Sequence, residues 1–139
     1  MIALIIGTHG KFSEEIVRSS EMIFGKQDNI ATAIFEPGES PDDLVRKYNA
    51  AMDNLNCENG VLFLVDIFGG SPYNAASRIV SEKENMDILT GVNLPMLLEI
   101  YGSRSFSTIK QLVEIGKNSA YEGIKTFTEI FFEQTDDDL

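Results

Sequence analysis

The sequence has 139 residues, 43% of them hydrophobic, which predicts a single globular domain with a substantial core. Acidic residues outnumber basic residues by 22 to 11, and the net charge of −11 argues against nucleic acid or an anionic membrane as a partner, because both bind basic patches. The single cysteine, Cys57, cannot form an internal disulfide, which indicates a reducing compartment. No apolar segment approaches the roughly 20 residues that span a bilayer, and residues 1–6 lack the basic leader of a signal peptide. We therefore expect a cytoplasmic protein that does not insert into a membrane.

Strand and helix patterns alternate along the chain. A first apolar run ends at His9, and apolar residues at helical spacing then continue to Phe24, where Gly25 supplies a stop. Ser40, followed by Pro41 and two acids, predicts the start of the second helix. The remaining pattern predicts strands at 30–35, 60–66 and 86–90, a helix that begins near 71, and a short helix at 94–101.

The end of the chain gives a less regular pattern. Ser107 is expected to be the N-cap of a last helix that follows it in the chain. Residues 124–132 are rich in Phe, Thr and Ile and predict a strand, although a helix is also compatible with them. The tail at 134–139 carries three consecutive aspartates and is expected to be solvated, which leaves 1–133 as the single domain.

The alternation of elements predicts an α/β fold. We expect a doubly wound sheet of four parallel strands with right-handed crossovers and helices on both faces. The first and third strands end at His9 and Asp66. We expect the strand order 2-1-3-4, in which these two ends flank the crevice where such folds bind their ligands, although the residues alone leave the order open.

His9 and Asp66 are the first candidates for chemistry. A lone histidine most often has no special role, but His9 follows its strand rather than lying within it, and Gly7 and Gly10 on either side allow the backbone to approach a ligand. A strand-terminal aspartate commonly caps a turn. Alternatively, Asp66 accepts a hydrogen bond from one imidazole nitrogen and leaves the other nitrogen as a nucleophile.

A second candidate is the segment Gly69-Gly70-Ser71, which is followed by Pro72. A generic Gly-Gly-Ser is more often only a tight turn and a helix cap. Beside Asp66, however, the two glycine amides and the Ser71 hydroxyl predict a neutral cup for a phosphoryl group at a helix N-terminus. No lysine follows as in a Walker loop, and one His and one Cys do not build a metal site. No metal or other cofactor is therefore expected.

Several stretches also match a known family in order and spacing. They are IIGTHG at 5–10, PGE at 37–39, GVLFLVD at 60–66, GGSPYNAASR at 69–78 and GVNLPML at 91–97. Together they resemble the EIIA component of the mannose family of the bacterial phosphoenolpyruvate:sugar phosphotransferase system. One departure is Ile67-Phe68, where some members carry Thr-Trp.

The resemblance implies a role for each site residue. His9 would take a phosphoryl group from the histidine-containing phosphocarrier protein and pass it to the EIIB component. Asp66 would hold the imidazole, while Gly69, Gly70 and Ser71 would receive the phosphoryl oxygens. The resemblance also implies a homodimer that exchanges a C-terminal antiparallel strand, for which 124–132 is the candidate. Because the sequence shows no flexible linker to an EIIB domain, we expect a free-standing EIIA component. We add the hypothesis of an apolar rim that docks both carriers, formed by Phe12, Phe68, Tyr73 and Met96.

Two other functions are compatible with parts of the pattern. A receiver domain also ends its third strand in an acid, but it needs an acidic pair after the first strand to hold Mg²⁺, where this chain has Thr8-His9. A flavodoxin-like module that only binds phosphate or a nucleotide would use Gly70-Ser71 as an anion cup, although no ribose-binding acid is evident. The transported sugar cannot be inferred, because the EIIA component does not contact it.

Overall fold

The computed structural model of the chain describes residues 1–137, with side chains as far as residue 133. Within these residues, four strands and six helices follow one another in the alternation that the sequence predicts up to β4. The elements are β1 (Ala3–His9), α1 (Phe12–Phe24), β2 (Ile30–Phe35), α2 (Pro41–Asp53), β3 (Val61–Val65), α3 (Ser71–Val80), β4 (Met86–Thr90), α4 (Leu94–Ser103), α5 (Ile109–Glu122) and α6 (Phe127–Asp137).

The four strands form one sheet in the order β2-β1-β3-β4, and all three pairings are parallel. The predicted topology is therefore confirmed. β1 and β3 lie at the centre, and their residues from Ala3 to Thr8 and from Val61 to Val65 are buried. Burial on both faces explains why these two strands are continuous apolar runs rather than alternating ones.

Helices cover both faces of the sheet, so that two separate core clusters form. Leu4 and Ile6 of β1 pack on one face with α1, α4 and α5. Ala3 and Ile5 point to the opposite face and pack with α2 and α3. The alternation of side chains along a strand assigns each residue of β1 to one of these clusters. His9 is an even number of residues from Ile5 and therefore lies on the face of α2 and α3.

Local capping residues fix most helix boundaries. Ser40 accepts a hydrogen bond from the backbone N–H of Asp43, whose carboxylate in turn accepts one from the backbone N–H of Ser40, so the predicted start of α2 is confirmed. α5 is capped by Thr108 rather than by Ser107. The reason is local, because Gln111 lies three residues after Thr108 and completes a capping box, while the Ser107 hydroxyl donates to the carbonyl of Ser103 at the end of α4.

The segment predicted as a strand at 124–132 is instead largely helical. α6 begins at Phe127, and the hydroxyl oxygen of Thr126 accepts a hydrogen bond from the backbone N–H of Glu129. The apolar residues there recur at spacings of three and four, which suits a helix, and the sheet of the described chain offers this segment no pairing. Phe127 and Phe132 are 83% and 60% exposed, so the segment is not buried.

The predicted acidic tail at 134–139 lies outside the described side chains, although the backbone of 134–137 belongs to α6. Across the described residues, no helix combines the length and apolar character needed to cross a membrane.

Candidate active site

Two neighbouring strands deliver the central pair of the site. His9 is the last residue of β1, and Asp66 directly follows β3, which pairs with β1 in parallel. Their carboxyl ends meet at the same edge of the sheet, as the sequence predicts for this strand order. The loop after β4 is attached to the same edge, because the backbone N–H of Gly91 donates to the carbonyl of Asp66 at 3.1 Å.

His9 and Asp66 form a close, directional contact. Nδ1 of the imidazole lies 2.8 Å from Oδ2 of Asp66, and the same oxygen accepts a hydrogen bond from the backbone N–H of His9 at 2.9 Å. The other carboxylate oxygen accepts from the backbone N–H of Ile67 at 2.9 Å. With an ionised carboxylate as partner, Nδ1 carries the hydrogen of a neutral imidazole, so the lone pair is on Nε2. The His9 side chain is 50% exposed, which leaves Nε2 open to a partner.

The surroundings keep Asp66 in its charged form. Burial raises the pKa of this carboxyl, since its side chain is only 14% exposed, but hydrogen bonds from the backbone N–H and the imidazole of His9 and from the N–H of Ile67 lower the pKa by more. The pKa therefore lies below its ordinary value. The carboxylate remains an acceptor at neutral pH and can stabilise positive charge on the imidazole ring.

The imidazole packs against the N-terminus of α3. Gly70 is the N-cap of this helix and offers no side chain to its first amides, Ser71 is the first helical residue, and Pro72 follows. A Cβ built on Gly70 would lie 2.9 Å from Cε1 of His9, the ring carbon bonded to Nε2. Because the first amides of a helix have no intrahelical acceptor, this end of α3 favours an anion beside the imidazole.

One aromatic side chain contacts the imidazole, and two others are exposed in the segments that follow His9 and Asp66. Phe35 meets the ring of His9 edge-on, with 5.9 Å between ring centroids and an angle of 68°. Phe12 and Phe68 are 46% and 75% exposed, and Phe68 lies against Tyr73 with 4.7 Å between centroids. Of the four predicted rim residues, Phe12 and Phe68 are thus exposed, and Tyr73 is half-buried. Met96 does not lie on the rim, because its side chain is 1% exposed and belongs to the core cluster beneath α4.

No group of three or more His, Cys, Asp and Glu side chains in the described part of the chain is arranged to hold a metal ion. The arrangement instead offers one nucleophilic nitrogen, one carboxylate that orients it, and a helix N-terminus that can stabilise negative charge.

Comparison with known proteins assigns this chain to a family. The family described as "PTS system fructose IIA component", the mannose-type EIIA domain, matches residues 3–116. The chain belongs to this family.

Individual relatives agree with the assignment. The chain is 41% identical over 129 residues to the "PTS system fructose-specific EIIA component" of Bacillus subtilis, covering 93% of this chain and 88% of that protein. It is 45% identical over 125 residues to the "PTS system mannose-specific EIIAB component" of Escherichia coli, covering 89% of this chain. The match covers only 39% of that longer protein.

A solved structure extends the likeness to three dimensions. The crystal structure of a phosphotransferase system component EIIA from Streptococcus agalactiae superimposes with a TM-score of 0.83 at 32% identity, covering 93% of this chain and 99% of that one. The mannose-type EIIA fold is therefore shared over nearly the whole described chain.

The residues expected for an EIIA site from the sequence lie together in the structure. His9 contacts Asp66 and lies against Gly70 at the edge of the sheet, and Gly69 and Ser71 are the neighbours of Gly70 in the chain.

Sequence reasoning missed two supporting residues. Thr8 is completely buried, and its hydroxyl oxygen accepts from the backbone N–H of Ser13. Tyr48 is a buried residue of α2, and its hydroxyl donates to the carbonyl of Pro72. A threonine next to the last residue of an otherwise apolar strand was a usable signal for the first contact, whereas nothing along the chain connects Tyr48 with Pro72.

Proposed function

We propose that this protein is a phosphoryl carrier in sugar uptake, in which Nε2 of His9 receives a phosphoryl group from the histidine-containing phosphocarrier protein and passes it to an EIIB component. The observation that supports this most directly is the 2.8 Å contact between Nδ1 of His9 and Asp66, which leaves Nε2 as the available nucleophile on a half-exposed ring. Membership of the EIIA family supports the same class of reaction.

The first transfer is an in-line exchange between two imidazoles. The lone pair of Nε2 forms a bond to phosphorus, while the bond from phosphorus to the histidine nitrogen of the carrier breaks and its electron pair returns to that nitrogen. The hydrogen on Nδ1 stays in place and continues to donate to Asp66, whose negative charge stabilises the positive charge that develops on the ring. The second transfer runs the same steps in reverse, with the EIIB component as acceptor.

The N-terminus of α3 supplies the remaining stabilisation. Backbone amides of Gly69, Gly70 and Ser71, with the Ser71 hydroxyl, would donate to the phosphoryl oxygens, where negative charge concentrates in the transition state. These are fixed neutral dipoles, so the site can stabilise charge without a basic residue. Because these donors are neutral, they can release the phosphoryl group readily to the second acceptor.

Phe12, Phe68 and Tyr73 would form the contact rim for both carriers, because Phe12 and Phe68 are exposed in the segments that follow His9 and Asp66, and Tyr73 lies against Phe68. We also propose a homodimer, since Phe127 and Phe132 present apolar surface that a monomer would leave in water. Sedimentation of the purified protein tests this, and a monomer at micromolar concentration would contradict it. The role requires access to the phosphocarrier protein, and we therefore propose a cytoplasmic location.

The test of the function is phosphorylation by the upstream components. The purified chain is incubated with phosphoenolpyruvate, enzyme I and the phosphocarrier protein, and its intact mass is followed beside that of His9→Ala. We expect a single phosphoryl adduct that is labile in acid, stable in base and absent from the variant. Because His9 is the only histidine of the chain, any adduct on the variant would identify a different acceptor.

Phosphorus NMR of the adduct gives a sharper readout, because it distinguishes phosphorylation at Nε2 from phosphorylation at Nδ1. A phosphoryl group on Nδ1 would contradict the role assigned to Asp66. No adduct, with carriers that phosphorylate a control EIIA protein, would overturn the proposal and favour a module that only binds a phosphate or a nucleotide. An acid-stable and base-labile adduct would indicate an acyl phosphate, as in a receiver domain.

A further inference from the structure

A buried tyrosine hydroxyl lies behind the site and has no part in the transfer described above. Tyr48 of α2 is 0% exposed, and its hydroxyl donates a hydrogen bond to the carbonyl oxygen of Pro72 at 2.9 Å. Its ring packs against Phe63 of β3 with 5.1 Å between centroids. The hydrogen bond therefore runs from the middle of α2 to the first turn of α3, the turn that begins at Gly70 and Ser71.

The hydroxyl occupies space that a side chain on β1 would otherwise fill. A Cβ built on Gly7 would lie 2.0 Å from the Tyr48 hydroxyl oxygen and 2.8 Å from its ring carbon Cζ. Gly7 precedes His9 by two residues, so both face the same side of the sheet. The tyrosine thus contacts the strand that carries His9 and the helix turn that faces it.

The hydroxyl is chemically suited to a permanent donor role. Burial raises the pKa of Tyr48, and the negative charge of Asp66 raises it further. The group therefore stays protonated at neutral pH and remains a hydrogen-bond donor.

We propose that Tyr48 is a positioning residue for phosphoryl transfer, because its hydroxyl holds the first turn of α3 at a fixed distance from the strand that carries His9. This inference rests on the proposed function and adds a residue that touches neither the phosphoryl group nor a carrier. Without the hydrogen bond, the amides at Gly70 and Ser71 would lose a restraint on their direction toward His9. A displacement of donor groups by a fraction of an ångström weakens transition-state stabilisation more than it weakens the fold.

The chain contains a matched control in Tyr101 of α4. Its side chain is 6% exposed, and its hydroxyl lies 2.8 Å from the hydroxyl of Ser20 on the opposite face of the sheet. Tyr48→Phe and Tyr101→Phe therefore each delete one buried, hydrogen-bonded hydroxyl and keep the ring. Only the first deletion acts on the turn beside His9.

The experiment measures transfer from the phosphorylated carrier protein to each purified variant by rapid quench. For Tyr48→Phe we expect the rate constant at saturating carrier to fall roughly three- to tenfold with an unchanged KM, since the contact rim is intact and only the orientation of the donors changes. For Tyr101→Phe we expect both parameters to match the wild type. A role that is merely structural would lower the melting temperature of both variants and leave both rate constants unchanged.

A second readout does not depend on the function. Amide hydrogen exchange and 15N chemical shifts of residues 69, 70, 71 and 73 are compared in the unphosphorylated proteins. We expect faster exchange and shifted resonances in Tyr48→Phe and wild-type behaviour in Tyr101→Phe. If the wild type is never phosphorylated, the proposed function fails, while this comparison still shows whether Tyr48 holds the turn.

Two results would overturn the inference. One is a wild-type rate constant in folded Tyr48→Phe, and the other is an equal loss in both tyrosine variants. If Tyr48→Phe does not fold, Gly7→Ala takes its place, because the added methyl group displaces the hydroxyl while Tyr48 is retained. The same fall in rate constant is then expected, and a wild-type rate constant would again overturn the proposal.

Discussion

A glycine is required at position 70 because neighbouring atoms leave no room for a side chain, and not because of its backbone conformation. Its φ of −77° and ψ of 174° are open to any residue. A Cβ at this position, however, would approach Cε1 of His9 to 2.9 Å and Cγ1 of Ile67 to 3.2 Å. The missing side chain therefore allows the imidazole to lie directly on the helix N-terminus.

We predict that Gly70→Ala slows phosphorylation of His9 on the order of tenfold or more, because the methyl group displaces the imidazole from the amides that would receive the phosphoryl group. The imidazole is exposed and can yield, so the free energy of unfolding should change little. Rapid-quench phosphorylation and urea unfolding measure the two effects.

Gly102→Ala is the control for this substitution. A Cβ there would meet nothing nearer than the ring of Phe24 at 3.9 Å, and the position lies within α4. The control should phosphorylate at the wild-type rate and be at least as stable, since alanine favours a helix over glycine. Equal rates for Gly70→Ala and Gly102→Ala would show that the close approach to His9 is unimportant.

At the residue scale, the sequence predicted which side chains come together but not why each one fits. His9 and Asp66 follow buried strands, and this pattern is visible along the chain. The steric need for a glycine at position 70 depends on the distance between two loops, which packing of α3 against the sheet determines. The contact between Gly7 and Tyr48 could not be predicted for the same reason, because these two residues are 41 positions apart in the sequence.

Among the elements, α1 is attached to the strand before it by an unusual cap. Its N-cap residue, Lys11, makes no side-chain capping bond. Instead, the buried hydroxyl oxygen of Thr8 accepts from the backbone N–H of Ser13 at 2.7 Å, and the Ser13 hydroxyl donates to the carbonyl of Ala33 on β2. This network joins the end of β1, the start of α1 and the neighbouring strand directly beside His9.

We predict that Thr8→Val lowers the free energy of unfolding by about 1–3 kcal/mol, because valine has nearly the same shape but leaves the buried N–H of Ser13 without an acceptor. Urea unfolding measures the loss. Amide hydrogen exchange locates it, since the amide of Ser13 should lose protection.

Thr8→Ser provides the comparison, because it keeps the oxygen and removes only a buried methyl group. Its stability should fall for that reason, but the Ser13 amide should remain protected. If Ser13 exchanges at the same rate in both variants, the hydroxyl of Thr8 is not the cap of α1.

Element boundaries were predictable where the signal is local. Gly25 and Ser40 mark the end of α1 and the start of α2 in the sequence as in the structure. The segment after Gly123 was predicted wrongly because phenylalanine, threonine and isoleucine favour strands, while their spacing also suits a helix. A strand would also need a neighbouring strand with which to pair, and the residue pattern of one segment does not specify that neighbour.

At the scale of the whole molecule, the strand order creates the site. β1 and β3 are neighbours at the centre of the sheet, and the crossover after β1 leads to one side while that after β3 leads to the other. The alternation of elements predicted parallel pairing, but it left the order open, since the choice of neighbours depends on which faces pack together. The confirmed order 2-1-3-4 is what brings His9 and Asp66 to one edge.

Two exposed phenylalanines lie at opposite edges of this sheet. Phe68 is 75% exposed in the loop that follows Asp66, at the carboxyl edge. Phe106 is 88% exposed in the connection between α4 and α5, beside a cavity lined by Met1 and Asn85 near the amino ends of the strands. The two side chains are equally apolar, and only the first belongs to the proposed contact rim.

We predict that Phe68→Asp raises the KM for the phosphorylated carrier protein roughly tenfold, because it removes an exposed aromatic anchor and adds a charge that docking would have to desolvate. Transfer to the EIIB component should weaken in the same way, since both carriers must reach the same imidazole. Phe106→Asp makes the identical chemical change at the far edge and should leave both transfers at wild-type values. Neither variant should lose much stability, because both rings lie largely in water. Wild-type kinetics in Phe68→Asp, measured with both carriers, would contradict the proposed contact rim. An equal loss in Phe106→Asp would show that the added charge, rather than the contact surface, causes the effect.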